Sequence, residues 1–115
     1  MRCWCLLLIF VLISACSHGP EADLQNIKQA RSIAAEWALL NEQADAGRLT
    51  AKYITSMHHW FREGLETASE SLSQPRSRYS AEIQALLAEP PNADPAELRR
   101  HADELKQIET ELESA

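Results

Sequence analysis

Cysteine, glycine and positive charge are all scarce in this chain of 115 residues, and each shortage excludes a class of function. All three cysteines lie within the first sixteen residues, so the remainder has no thiol for a disulfide, a nucleophile or a metal. Three glycines are too few for a phosphate-cradling loop or for the turns of an all-β protein. With 11 Lys and Arg against 17 Asp and Glu, we expect no nucleic-acid partner.

Long hydrophobic runs are absent as well. The longest, from Trp4 to Ile13, has 10 residues, whereas a helix needs about 20 to cross a bilayer. We therefore expect no transmembrane anchor. The chain is otherwise 45% hydrophobic and 24% charged, which is typical of a folded protein with one domain and one core.

The first sixteen residues have the pattern of a secretory leader. One positive charge, at Arg2, precedes the apolar run, and small residues follow it. The leader ends in the sequence Ile13-Ser14-Ala15-Cys16. This sequence resembles the lipobox of bacterial lipoproteins, an aliphatic residue and two small residues before a cysteine.

The resemblance implies that a peptidase cuts between Ala15 and Cys16 and that Cys16 carries a diacylglyceryl group. Residues 1–15 would then be a lipoprotein signal peptide, residues 16–20 the lipidated cysteine and a tether, and residues 21–115 a helical periplasmic domain. Two or three acyl chains hold a protein on a membrane essentially permanently. The second mature residue is Ser17, not the aspartate that retains enterobacterial lipoproteins in the inner membrane. We therefore expect an outer-membrane anchor with the domain facing the periplasm, and the inner membrane is the alternative.

The mature sequence has helical periodicity throughout. Residues 21–46 contain neither glycine nor proline, and Gly47 follows them where a left-handed C-terminal cap is expected. Thr50 then serves as the N-cap of a second predicted helix over residues 51–73, which contains Gly64. So short a connection makes the two helices antiparallel. The predicted apolar stripes of this hairpin are Ala30, Ile33, Trp37, Leu40 and Ala44 on the first helix, and Ile54, Met57, Phe61, Leu65, Ala68 and Leu72 on the second.

Two further helices are predicted after the hairpin. A short one of about ten residues presents Tyr79, Ile83, Leu86 and Leu87. Asp94-Pro95-Ala96-Glu97 has the residues of a capping box, and a last helix follows it. Its apolar stripe is Leu98, Ala102, Leu105, Ile108 and Leu112, and Leu98, Leu105 and Ile108 are expected to pack across both hairpin helices. The predicted fold is therefore an all-α small helical bundle: an antiparallel hairpin plus one short and one longer C-terminal helix.

The outer face of the last helix carries charges at helical spacing. Arg99 and Asp103 stand four residues apart, as do Arg100 and Glu104. Pairs at this spacing form salt bridges on a solvated helix face. We therefore predict both pairs.

His58, His59 and Glu63 are the weak candidates for a metal site. Adjacent histidines on a helix point about 100° apart, and zinc sites need three or four protein ligands. The interpretation we prefer is a solvated helix face with a His59–Glu63 pair, and we expect no metal and no cofactor. His18 and His101 are isolated in the sequence and indicate nothing specific.

Most aromatic residues outside the leader lie on the first two predicted helices. Trp37 and Phe61 fall on the core stripes. Trp60 lies one residue off the stripe, on the same side as Tyr53, so these two side chains form a candidate partner surface. The interpretation we prefer is that all of them pack in the core, and the partner surface is the alternative.

No serine, histidine or carboxylate stands in a pattern that activates it for catalysis. We therefore expect a non-enzymatic protein, a lipid-anchored accessory or interaction factor that binds an unidentified protein of the cell envelope. One alternative is a periplasmic carrier of a small ligand or metal. Another is a lipoprotein of the exclusion or immunity type, which blocks a partner's insertion.

Overall fold

The computed structural model describes residues 20–114, which form four helices and no strand, and this confirms the all-α prediction. The first helix, α1, begins at Pro20, and α2 and α4 have the same length, 20 residues each. The elements in chain order are α1 (Pro20–Asp45), α2 (Ala51–Glu70), α3 (Arg78–Ala88) and α4 (Pro95–Ser114).

The turn between α1 and α2 forms as the sequence predicts. Gly47 adopts a φ of 71°, which favours glycine because it has no Cβ. The N–H of Arg48 donates to the carbonyl of Gln43 at 3.0 Å and closes the end of α1. The hydroxyl of Thr50 accepts from the N–H of Tyr53 at 3.2 Å, which caps the start of α2.

The helices alternate in direction, so the bundle runs up and down. Arg99 near the start of α4 pairs with Glu42 near the end of α1, and Glu113 at the end of α4 pairs with Lys28 near the start of α1. These two ion pairs show that α1 and α4 are antiparallel.

The last helix does not pack across both hairpin helices, so that prediction is wrong. The described backbones of α2 and α4 make no contact, whereas α4 lies along α1 and also contacts α3. The reason is that α3 packs between α2 and α4 and contacts both. We therefore assign the buried Leu98, Leu105 and Ile108 to the part of the core between α4, α1 and α3.

The core contains most of the predicted stripe residues. Trp37, Phe61 and Leu65 are buried, and Met57 packs against them partly exposed. Three positions differ from the prediction, and one of them is Ala44, which is half-buried near the end of α1. Ile54 is half-buried and outside the core cluster, and Leu112 is 36% exposed because it lies near the end of α4. The buried apolar residues are Ile27, Ala30, Ile33, Ala34, Trp37, Ala38, Leu40, Phe61, Leu65, Ala68, Tyr79, Ile83, Leu86, Ala93, Leu98, Ala102, Leu105 and Ile108.

Gly64 marks a close approach of α1 and α2. A Cβ built at this position would lie 2.7 Å from Cδ1 of the buried Ile33. No ordinary packing allows such a separation, so the absent side chain at position 64 sets the spacing of the two helices.

Several local predictions are corrected. The second helix ends at Glu70, not near residue 73, because Ser73 donates to a side chain of α1 instead of continuing the helix. In the predicted capping box, Asp94 accepts from the N–H of Ala96, but Glu97 pairs with Arg100.

The two predicted pairs on the outer face of α4 are also wrong. Arg99 pairs with Glu42 of α1 and Arg100 with Glu97, while Glu104 pairs with Arg78. Arg99 and Glu104 reach partners on neighbouring helices, and Arg100 pairs with a residue three positions earlier on α4 itself.

None of the helices in residues 20–114 has both the length and the apolar character needed to cross a membrane. The predictions for residues 1–19, including cleavage after Ala15 and lipidation of Cys16, lie outside the described residues.

Candidate functional site

One face of the α1–α2 hairpin exposes large apolar side chains. Leu39 of α1 is 55% exposed, and Tyr53 and Trp60 of α2 are 50% and 52% exposed. The indole of Trp60 meets the buried ring of Phe61 edge-on, with centroids 5.8 Å apart. Trp60 therefore lies at the border of the core with much of its ring in solvent, as its position one residue off the stripe predicts.

A hollow of about 280 Å³ lies near the hairpin turn, and we name it the turn hollow. The residues that line it are Glu36, Leu39, Leu40, Gln43, Leu49, Tyr53, Met57 and Phe61. Most of these side chains are apolar, and the one charge among them is the carboxylate of Glu36. A shallow apolar hollow with aromatic walls can receive the side chains of a partner.

A second hollow, of about 450 Å³, follows the first along the hairpin, and we name it the Gly64 hollow. Its residues are Gln25, Asn26, Gln29, Trp60, Glu63, Gly64, Thr67 and Ala68. The absent side chain of Gly64 leaves room in its wall, and Trp60 stands at the end nearer the turn hollow.

The structure does not bring His58, His59 and Glu63 together as a metal site. Nε2 of His58 lies 3.0 Å from Oδ1 of Asn41, while His59 pairs with Glu63 at 3.0 Å as predicted. Within residues 20–114, no group of three or more His, Cys, Asp or Glu side chains is arranged to hold a metal ion.

Asn41 instead ties three segments together inside the bundle. Its buried amide donates to the carbonyls of Pro91 and Ala93, at 3.1 and 2.9 Å, so its oxygen is left to accept from His58. The His58 ring must then carry its proton on Nε2. Burial lowers the pKa of His58, which favours the neutral ring.

His101 of α4 is buried between two carboxylates of the α3 segment. Its Nδ1 lies 2.6 Å from Glu82, and its Nε2 lies 3.2 Å from Glu89. An ionised carboxylate only accepts hydrogen bonds, so the ring satisfies both partners when both nitrogens carry protons. The ring of His101 is buried and its two contacts hold α4 against α3, so we assign the cluster a structural role.

A second buried polar cluster surrounds Asp23, which lies in the first turn of α1. Its carboxylate accepts from the N–H and hydroxyl of Ser73, at 2.8 and 2.7 Å, and from the hydroxyl of Tyr79 at 2.6 Å. Burial alone would raise the pKa of Asp23, but the hydrogen bonds from Tyr79 and Ser73 outweigh it and hold the pKa below its ordinary value. Asp23 thereby fastens the α2–α3 connection to the start of the bundle.

We predict that protonation of Asp23 makes the bundle less stable in acid. Because its folded pKa is lowered, its contribution to stability is complete above the unfolded pKa and is lost as the pH falls through the folded pKa. Asp23→Asn should therefore lower the free energy of unfolding at neutral pH by about 2 kcal/mol, through lost hydrogen bonds to a charged group. The variant should also show a smaller loss of stability between neutral pH and strong acid.

Urea unfolding at a series of pH values measures both effects. The matched control is Glu21→Gln, because Glu21 lies exposed in the same first turn and has the same interaction with the helix dipole. If Glu21→Gln changes the pH dependence as much as Asp23→Asn does, the buried hydrogen bonds are not its cause.

Sequence reasoning missed these buried clusters. The sequence does not distinguish Asp23 from other acidic residues at the start of a helix, and His101 is isolated in the sequence. Their partners are 12 to 56 residues away in the chain, so no local spacing marks them. The available signal was position: His101 lies three residues after Leu98 and four before Leu105, on the buried stripe of α4.

The fold and the site together define a small up-and-down four-helix protein whose N-terminal hairpin has two hollows and three exposed apolar side chains. No protein-family model, no curated protein and no solved structure matches the chain. The hollows, the clusters and the sequence are thus the basis for a function.

Proposed function

We propose that this protein is a non-enzymatic accessory factor of the bacterial cell envelope, anchored by lipid at Cys16, which binds another protein through its α1–α2 hairpin. The observation that carries the proposal is the exposure of Leu39, Tyr53 and Trp60 on one face of that hairpin. The anchor rests on the lipobox, and the binding rests on this face.

The physical support for binding is the hydrophobic free energy left in these side chains. Full burial of a large apolar side chain contributes about 1.5 to 3 kcal/mol, at about 25 cal/mol per Å². Because these three side chains are about half exposed, a large part of that free energy is still to be gained when a partner buries them. Tyrosine and tryptophan are also the residues most enriched among interface hot spots. A partner that covers this face would gain that free energy.

The polar clusters support a structural role for the remainder of the bundle. Asp23 and His101 are enclosed and fully bonded within the protein, and His58 bonds to Asn41. None of these groups faces an open hollow together with a nucleophile. Within residues 20–114 the carrier alternative gains no set of metal ligands. The exclusion or immunity alternative shares the same binding face and differs in its partner.

Cys16→Ser tests the anchor. We expect the wild type to be cleaved and to carry acyl chains detectable by mass spectrometry, because the lipobox thiol is the group that receives the lipid. The serine variant should accumulate as an uncleaved precursor. Normal processing of the variant, together with a wild type free of lipid, would contradict the proposal.

Co-purification tests the binding face. The full-length protein, solubilised from membranes in a mild detergent, should retain one stoichiometric partner. Trp60→Ala should reduce the retained partner at least about tenfold, as expected for a hot-spot aromatic. Leu112→Ala is the matched control, since Leu112 is an exposed apolar residue on α4, away from the hairpin face. Equal retention by the two variants would exclude this face as the binding site.

A further inference from the structure

The turn hollow and the Gly64 hollow follow one another along the hairpin, and we name the two together the hairpin groove. Both are lined by α1, α2 and the turn between them, with no residue of α3 or α4. The groove extends from Gln25 to Gln43 on α1, which is about 27 Å at the rise of an α-helix. Trp60 and Phe61 stand where the two hollows succeed one another along α2.

We infer that the hairpin groove receives an amphipathic helix of another protein, with large apolar side chains on one face and Lys or Arg beside them. This inference rests on the proposed function and names the chemistry of the partner. It is the helix-in-groove mode of recognition, in which apolar anchors at helical spacing enter a groove between helices.

The shape of the groove favours a helix over an extended peptide. An extended peptide binds well when it adds to a sheet edge, and residues 20–114 contain no strand to offer one. A helix satisfies its own backbone hydrogen bonds, and two antiparallel helices form a furrow for a third. A helix of about 18 residues would fill the 27 Å from Gln25 to Gln43.

The charges of the groove favour a cationic helix. The residues that line it include two carboxylates, Glu36 and Glu63, and no Lys or Arg. Glu63 also pairs with His59, and Arg48 bonds to the lining residue Gln43, so Glu36 is the carboxylate that carries this argument. The basic residues of α1, Lys28 and Arg31, pair with Glu113 and Glu109 of α4 on another side of the helix. Glu36 has no ion pair within the described part of the chain.

The same charges disfavour a second copy of this chain as the occupant. With 17 acidic against 11 basic residues, a second copy brings net negative charge toward Glu36 and Glu63. Like charges across an interface weaken association. A partner helix with Lys or Arg at its flanks would instead complement the groove.

Photo-crosslinking with synthetic helices tests the inference on the full-length protein in phosphatidylcholine nanodiscs. The probe is a fluorescent helical peptide of about 18 residues with leucines at helical spacing, lysines at its flanks and a benzophenone within its apolar row. A second peptide replaces every lysine with glutamate. We expect the lysine peptide to crosslink to α1 and α2, and the glutamate peptide to crosslink at least about tenfold less, because its charges are repelled.

Variants locate the binding. Trp60→Ser and Glu36→Lys should each reduce crosslinking of the lysine peptide, whereas Leu112→Ser and Glu97→Lys on α4 should leave it unchanged. Equal crosslinking of both peptides, crosslinks confined to α3 and α4, or a dimer of the protein that Trp60→Ser abolishes would overturn the inference. If a co-purified partner depends on Trp60 but not on Glu36, and the lysine peptide does not compete for it, the cationic helix is wrong and the proposed function still stands.

Discussion

Replacing Trp37 with alanine is expected to lower the free energy of unfolding by about 3 to 5 kcal/mol, the usual cost of truncating a buried tryptophan. The Trp37 side chain is 6% exposed and packs against Phe61 with ring centroids 6.4 Å apart. Small domains have only about 5 to 15 kcal/mol of stability, so this single change would remove a large part of it.

Trp37 also has a polar role that alanine would remove. Its Nε1–H donates to the carbonyl of Pro91 at 3.0 Å and so joins α1 to the connection between α3 and α4. Trp37→Phe keeps most of the packing and loses this bond, while the carbonyl of Pro91 still accepts from Asn41. The phenylalanine variant should therefore lose only about 1 to 2 kcal/mol.

Urea unfolding followed by circular dichroism measures these differences. Trp60→Ala is the control, since this side chain is half exposed on the same hairpin and its removal should cost much less. Equal destabilisation by Trp37→Ala and Trp60→Ala would mean that both rings belong to the core, and the candidate binding face would lose its central residue.

His101→Leu is expected to destabilise the bundle by about 3 kcal/mol, the lower end of the range for breaking a buried ion cluster. The reason lies in the groups that remain. Glu82 and Glu89 are 17% and 24% exposed, and without the ring both carboxylates lose their hydrogen-bonding partner on α4. The lower end applies because solvent still reaches these carboxylates in part.

A mutant cycle separates two contributions to the lost stability: the missing packing of the histidine ring, and the two carboxylates left without a partner. If uncompensated charge dominates, adding Glu82→Gln and Glu89→Gln to His101→Leu should recover much of the lost stability. His59→Leu is the matched control, because His59 pairs with Glu63 in an exposed ion pair and its loss should change stability little. No recovery in the triple variant would show that packing of the imidazole, not its charge, holds α4 against α3.

Local chemistry was sufficient to predict the helices and the hairpin turn. Gly47 and Thr50 ended one helix and began the next where expected, since their effects act within a few residues. The packing partner of α4 was not predictable in the same way. The stripe of Leu98, Leu105 and Ile108 defines a buried face, but it contains no information on which helix covers that face.

The candidate site also combines features that are predictable from one helix with features that depend on how the helices pack. Exposure of Tyr53 and Trp60 followed from their angular position on one helix. The groove beside them also needs Leu39 and Glu36 from α1, and these align with α2 only once the two helices pack at the spacing that Gly64 allows. Asp23 and His101 find their partners on other helices, so tertiary structure alone reveals them.

Crosslinking in living cells tests the central claim most directly, that the hairpin groove binds another envelope protein. A photo-reactive phenylalanine analogue would replace Leu39 in the full-length protein, and the same analogue would replace Leu112 as the control. We predict one discrete heterologous adduct from position 39, lost when Trp60→Ala is added, and none from position 112. An adduct that forms equally at both positions, or that persists without Trp60, would contradict the account.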